Sequence, residues 1–191
     1  MSEKVCLVTG VGPGTGAALV KEFVRGGYRV AMLARTEERL RNLANEIDSA
    51  TPFVCDVSDG KSLAEVYVRI RQELGSPQVV VHNAVGAERG TYMDIDPVRF
   101  VKNFEVNTVA LLQLARLATP DMIESGSGAI ICTGNTSAYR GRANFAGFAP
   151  TKAAQRMLLE SIAREAGPKG IHCLLYTSPS PRDQRGSGMP A

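Results

Sequence analysis

A chain of 191 residues, 44% hydrophobic and 21% charged, is long enough for one domain with a buried core and has the make-up of an ordinary soluble globular protein. A net charge of +3, with no basic run interleaved with aromatic residues, excludes a nucleic-acid partner. No apolar run approaches the roughly 20 residues that cross a bilayer, which excludes a membrane partner, and no signal peptide precedes the first apolar run, so the expected compartment is the cytoplasm.

The first apolar run, residues 5–8, predicts a buried strand. It enters a turn with four glycines, Gly10, Gly12, Gly14 and Gly16, with Thr15 inside it, and a helix pattern follows over 17–25. Strand, glycine turn and helix form the layout that binds a dinucleotide pyrophosphate. Glycines let the backbone turn tightly and let a phosphate approach with no Cβ in the way. The free N–H groups and the positive dipole end of the helix then face the phosphate oxygens. A plain tight turn is the alternative. The spacing is TGxxxGxG, from Thr9-Gly10 through Gly14 to Gly16. This stretch resembles the cofactor loop of the short-chain dehydrogenase/reductase family. The resemblance implies an α/β fold, a Rossmann-type doubly wound parallel sheet in strand order 3-2-1-4-5-6. It also implies a nicotinamide cofactor, a small-molecule substrate, and hydride transfer between the nicotinamide and a carbonyl, alcohol or activated alkene.

Residues 29–34 read as the second strand, bounded by Gly26 and Gly27, with Arg35 and Thr36 at its C-terminal end. In this architecture that position lies beside the adenosine ribose. An acidic residue there would favour NAD, whereas an arginine suits a 2′-phosphate, so NADP is expected over NAD. The alternative is that Arg35 is a solvated surface residue. Residues 37–47 are helical, with Leu40, Leu43, Ala44 and Ile47 on one face. Residues 51–57 form the third strand and its exit. The resemblance puts Asp56 and Val57 beside the adenine ring. Alternatively Asp56 caps the next helix, a task Ser58 and Asp59 could fill equally. That helix covers 61–74, with Leu63, Val66, Tyr67 and Ile70 inward. Strand four, 79–81, leads into His82-Asn83-Ala84-Val85-Gly86, where the family usually has Asn-Asn-Ala-Gly. Asn83 and Ala84 match and are carried over as cofactor-binding. His82 and Val85 depart, so the backbone there is expected to run differently. His82 reads as a structural histidine rather than a base.

Residues 97–124 are mostly helical and contain Asn107, which the resemblance implies holds a water on the proton path; bonding to backbone is the alternative. Residues 128–133 form a β-branched fifth strand that ends at Gly134. Past this strand the family has a Ser, then a Tyr, then a Lys four residues after the Tyr. The Tyr passes a proton to or from the substrate oxygen, the Lys lowers the phenol pKa and binds the nicotinamide ribose, and the Ser polarises the carbonyl. Lys152 fits the Lys position, but Phe148 stands four residues before it and has no proton to give. Thirteen residues before Phe148 is Asn135, followed by Thr136 and Ser137, of which Ser137 is favoured for the polarising role. Tyr139, the nearest phenol, lies 13 residues before Lys152 in a loop.

From Cys173 onward the sequence stops resembling the family. Residues 1–172 are expected to form the dinucleotide-binding domain, incomplete at its C-terminus. Residues 173–191, rich in Ser, Pro, Arg and Gly, are expected to be a disordered, non-family tail that looks like adapter read-through joined to a truncated gene. The sheet would then be cut short at strand six, with an open edge. Residues 104–123 and 150–165 are rich in Ala and Leu, and the resemblance implies that the parent protein pairs through such helices into homodimers or homotetramers. Cys6, Cys55, Cys132 and Cys173 include no CxxC pair and read as buried reduced thiols, and two distant histidines leave no metal site to expect. A second functional reading, favoured by Phe148, is an NADP-binding redox sensor or scaffold without dehydrogenase activity.

Overall fold

The computed structural model describes residues 4–177. Six parallel strands form one sheet in the order β3-β2-β1-β4-β5-β6. β1 (Lys4–Thr9) is buried from Val5 onward, and β4 (Val79–His82) is buried throughout. Such strands have both faces covered, which is why their sequences run apolar without alternation. β2 (Tyr28–Ala34) lies beside β1, and β3 (Ala50–Val54) is the edge. β5 (Gly128–Gly134) and β6 (Ile171–Thr177) complete the other half.

The side chains of β1 divide between two cores. Cys6 and Val8 pack with Val20 of α1 (Thr15–Arg25) and Leu40 of α2 (Glu37–Glu46). Val5 and Leu7 pack with Leu63 and Ile70 of α3 (Gly60–Glu73), Leu111 and Leu114 of α5 (Ala110–Glu124), and Leu159 of α6 (Ala149–Ala166). The chain crosses from one face to the other between β1 and β4. The strand ends at this switch point leave a crevice that neither helix layer fills.

Several boundaries differ from the sequence reading for physical reasons. β3 stops at Val54 because its partner β2 ends at Ala34; one further bond, Cys55 N–H to Ala34 O at 3.0 Å, closes the ladder. Asp59, not Asp56, caps α3, accepting from the Lys61 and Ser62 N–H groups at 3.0 and 3.1 Å. The single long helix expected over 97–124 is α4 (Pro97–Phe104), a π-helical turn (Glu105–Val109) and α5 in succession. A π turn carries an extra residue, and Asn107, at its centre, makes bonds across the molecule that are described below.

The largest correction is at the C-terminal end. The boundary at 172 is too early: Cys173 to Thr177 continue β6, paired with β5 from Gly128–Ile171 to Gly134–Thr177. The alternation of IHCLL explains it, since Ile171 is buried and Cys173 and Leu175 pack against the sheet core. The rest of the expected disordered tail, residues 178–191, lies outside the described residues. Among the described residues β6 is paired on one side only, with Leu174 and Tyr176 exposed. All four cysteines are free thiols, three of them buried. No described helix is long and apolar enough to cross a membrane.

Candidate functional site

The glycine turn is shaped by two kinds of glycine. Gly10 adopts φ +67°, and a Cβ there would run into the Asn83–Ala84 backbone. A Cβ on Gly16 would meet Gly10 O at 2.7 Å. These two glycines let the turn pack against the protein. A Cβ on Gly12 or Gly14 would meet nothing within 4 Å, so these two open the turn toward the crevice. Gly14 begins α1 with no side-chain cap; the Gly12 carbonyl accepts from Ala17 N–H at 2.9 Å in its place. An open cradle at an uncapped helix start fits a pyrophosphate.

Thr9 ties this turn to the end of β4. Its hydroxyl accepts from the N–H groups of Asn83 (3.1 Å) and Ala84 (3.2 Å) and lies 3.1 Å from His82 Nδ1. Asn83 Nδ2 donates to Gly10 O at 2.9 Å. Asn83 and Ala84 therefore brace the glycine turn.

The crevice holds a cavity of about 700 Å³. Gly10, Gly12, Gly14, Thr15 and Gly16 form one wall, and Asn83 and Ala84 lie beside them. Arg35, Thr36, Asp56 and Val57 line the end near β2 and β3. Burial opposes ionisation of Asp56, but the Ser58 hydroxyl and N–H, at 2.7 and 3.0 Å, together with Arg35 and Lys102, hold its carboxyl below the usual carboxylate range. The sequence reading missed Arg39, Arg99, Lys102 and Asn103, which line the same cavity. Arg39 lies one helical turn beyond Thr36, a spacing that could have flagged it. The α4 residues carry no such signal, because only the crossover from β4 brings them over the crevice.

The residues expected to handle the proton are not among those lining this cavity. Lys152, 2% exposed, donates to Thr133 O at 2.8 Å, and burial lowers its ammonium to about 8. Ser137 is buried in a single 3₁₀ turn, where its N–H donates to Asn135 Oδ1. Asn107, fully buried, uses both ends of its amide: Oδ1 accepts from Gly86 N–H at 3.0 Å, and Nδ2 donates to Gly86 O at 2.9 Å and Thr151 Oγ1 at 2.8 Å. Phe148 is buried immediately before α6, its carbonyl accepting from Lys152 N–H at 3.2 Å, so the four-residue spacing is one turn of that helix. Tyr139 is exposed, with the Arg156 guanidinium 4.8 Å above its ring.

His82 is fully buried behind the Thr9 hydroxyl. Burial, aided by the charge of Lys152, lowers it to about 4. A folded value below the unfolded one near 6.5 means that the neutral ring contributes its full stability above about pH 6.5. That contribution is expected to be lost as pH falls to about 4, by about 3 kcal/mol at ~1.4 kcal/mol per unit. Urea unfolding of the wild type and of His82→Asn at pH 7 and pH 4.5 measures it; an equal acid loss in both proteins would remove His82 as its source.

A doubly wound parallel sheet with a glycine turn at its switch point defines a dinucleotide-binding α/β protein. Residues 4–179 match the short chain dehydrogenase family, and the chain belongs to that family. A short chain dehydrogenase of Pseudocercospora fijiensis is 33% identical over 174 residues, which is 88% of this chain and 56% of that protein. The L-xylulose reductase of Cavia porcellus is 29% identical over 166 residues, 86% of this chain and 66% of the reductase. The chain thus spans less than two thirds of these relatives. Among solved structures, a short-chain dehydrogenase from Streptomyces avermitilis superposes with a TM-score of 0.87 at 31% identity, covering 91% of this chain and 65% of that one. A metagenomic short-chain oxidoreductase in complex with NADP superposes with a TM-score of 0.88 at 28% identity, covering 94% and 83%.

Proposed function

We propose that the protein is an NADP-dependent oxidoreductase acting on a carbonyl, alcohol or activated alkene. The observation that carries the cofactor choice is the end of the cavity beside β2, where Arg35, Thr36 and Arg39 stand and the residue directly after Ala34 is Arg35 rather than a carboxylate. A guanidinium there pairs with a 2′-phosphate, which NAD lacks. The neighbour solved with NADP supports the same choice. In this reading Gly10, Gly12, Gly14, Thr15 and Gly16 cradle the pyrophosphate, Asp56 and Val57 flank adenine, and Asn83 and Ala84 back the turn. Lys152 holds the nicotinamide ribose, Asn107 orders the proton path, and Ser137 polarises the substrate oxygen. The bound nicotinamide supplies the hydride. Leu112 and Met157 are exposed apolar residues on α5 and α6, and the proposal includes pairing through these helices into dimers or tetramers.

Calorimetric titration with NADPH and NADH tests the cofactor assignment. NADPH is expected to bind more tightly, and Arg35→Ala is expected to weaken NADPH about tenfold or more, a loss of ~1.4 kcal/mol, while leaving NADH nearly unchanged. Equal wild-type affinities would overturn the NADP assignment. Loss of nicotinamide absorbance with ketones, aldehydes and enones then tests turnover. Tight binding without turnover on any class would favour the second reading, a redox sensor or scaffold, which the missing phenol at Phe148 supports.

A further inference from the structure

Gly86 is the glycine of the departed Asn-Asn-Ala-Gly pattern, displaced by one residue. Its backbone passes over Asn103, and a Cβ there would overlap Asn103 Oδ1 and come within 3.2 Å of Asn103 Cα. Asn103 is 4% exposed. Its Nδ2 donates to Gly147 O at 2.6 Å and lies 3.4 Å from Thr151 Oγ1. Its Oδ1 lies 3.4 Å from Asn107 Nδ2. Asn107 bonds both backbone groups of Gly86, and Thr151 Oγ1 donates to Phe148 O at 2.8 Å. A continuous set of buried bonds therefore runs from the cavity wall at Gly86 to Gly147, Phe148 and the first turn of α6. That turn carries Lys152.

We propose that Asn103 is a positioning residue: it sets the cavity wall at Gly86 against the start of α6, so that a dinucleotide resting on Gly86 is held in register with Lys152. The proposal rests on the reading of the cavity as a nicotinamide dinucleotide site. Gly86 and Asn103 both line that cavity, so a shift between them changes its width. The side chain acts through backbone groups at Gly86 and Gly147 and needs no contact with the reacting atoms. Networks of this kind show themselves as non-additivity, because two members share one arrangement.

The test is an NADPH titration at 25 °C of the wild type, Gly86→Ala, Asn103→Ala and the double variant, with unfolding midpoints measured in parallel. Asn103→Ala is expected to weaken NADPH about fivefold through lost preorganisation. Gly86→Ala is expected to weaken it about tenfold or more by forcing the wall off Asn103. The double variant is expected to bind up to about twofold more tightly than Gly86→Ala alone and no more tightly than Asn103→Ala, because the overlapping carboxamide is gone; the 3.2 Å approach to the Asn103 Cα keeps the rescue partial. Losses that multiply would overturn the proposal. So would an Asn103→Ala protein with a lower unfolding midpoint and an unchanged NADPH affinity, the result a purely structural role produces. Asn103→Ser replaces Asn103→Ala in the cycle if the latter does not fold. A wild type that binds neither NADPH nor NADH overturns the functional reading, and this proposal with it. A binding wild type with unaffected variants overturns this proposal alone.

Discussion

Replacing Phe148 with tyrosine is expected to raise turnover of a carbonyl substrate by about 10²- to 10⁴-fold, the usual contribution of a positioned general acid. Phe148 and Lys152 are one helical turn apart, and the Lys152 N–H to Phe148 O bond of 3.2 Å fixes that register. The variant adds a hydroxyl at a residue whose backbone carbonyl already fixes the helix start, and it is expected to keep that start in place. Burial lowers the Lys152 ammonium to about 8, so it is charged below that pH and neutral above it. Its field favours ionisation of a nearby phenol, and the gain is therefore expected to shrink as pH rises past about 8. The measurement is kcat with NADPH for wild type and variant across pH 6 to 10 on one ketone series. A folded variant with no gain on any ketone would rule out an otherwise intact carbonyl site behind Phe148. It would leave the alkene or sensor readings of the same cavity.

Gly10→Ala is expected to cost about 2–5 kcal/mol of stability and to abolish measurable NADPH binding. Two costs combine. A Cβ in the left-handed region costs about 1–2 kcal/mol. The overlap with the Asn83–Ala84 backbone adds about 1–3 kcal/mol, because that backbone is braced by the Thr9 hydroxyl and cannot yield freely. Gly14→Ala separates packing from binding. Its φ is −95° and a Cβ there meets nothing within 4 Å, so stability is expected to change by no more than ~1 kcal/mol. The added methyl enters the cradle that a pyrophosphate would occupy, so NADPH affinity is expected to fall sharply even though the fold is intact. Urea unfolding paired with NADPH titration reads both quantities. Equal NADPH affinity in Gly14→Ala and wild type would remove the phosphate from this turn.

The parts legible in the sequence were those whose cause is local. The continuous apolar runs of β1 and β4, buried on both faces, announced central parallel strands. The spacing of Gly10, Gly14 and Gly16 announced a tight glycine turn between β1 and α1, because close backbone approach is a requirement that few residue types meet. All the cofactor positions carried over by resemblance, Lys152 excepted, line one cavity, since each sits at the end of a strand and the strand order brings those ends together. Period and composition misjudged what depends on partners. β3 ends early because β2 does, and β6 continues to Thr177 because β5 offers seven paired positions despite a polar sequence beyond. No local pattern could report that Lys102 and Asn103 reach the crevice. Nor could it show that Asn107 spends its amide on Gly86 and Thr151, or that Asn107, Ser137 and Lys152 are buried and are not among the residues lining the cavity. Those facts depend on how α4, the π turn and α6 pack across the molecule, which is a matter of three-dimensional distance. Sequence alone thus determined the order of the strands and helices and the glycine turn; packing decided their ends and which side chains share the site.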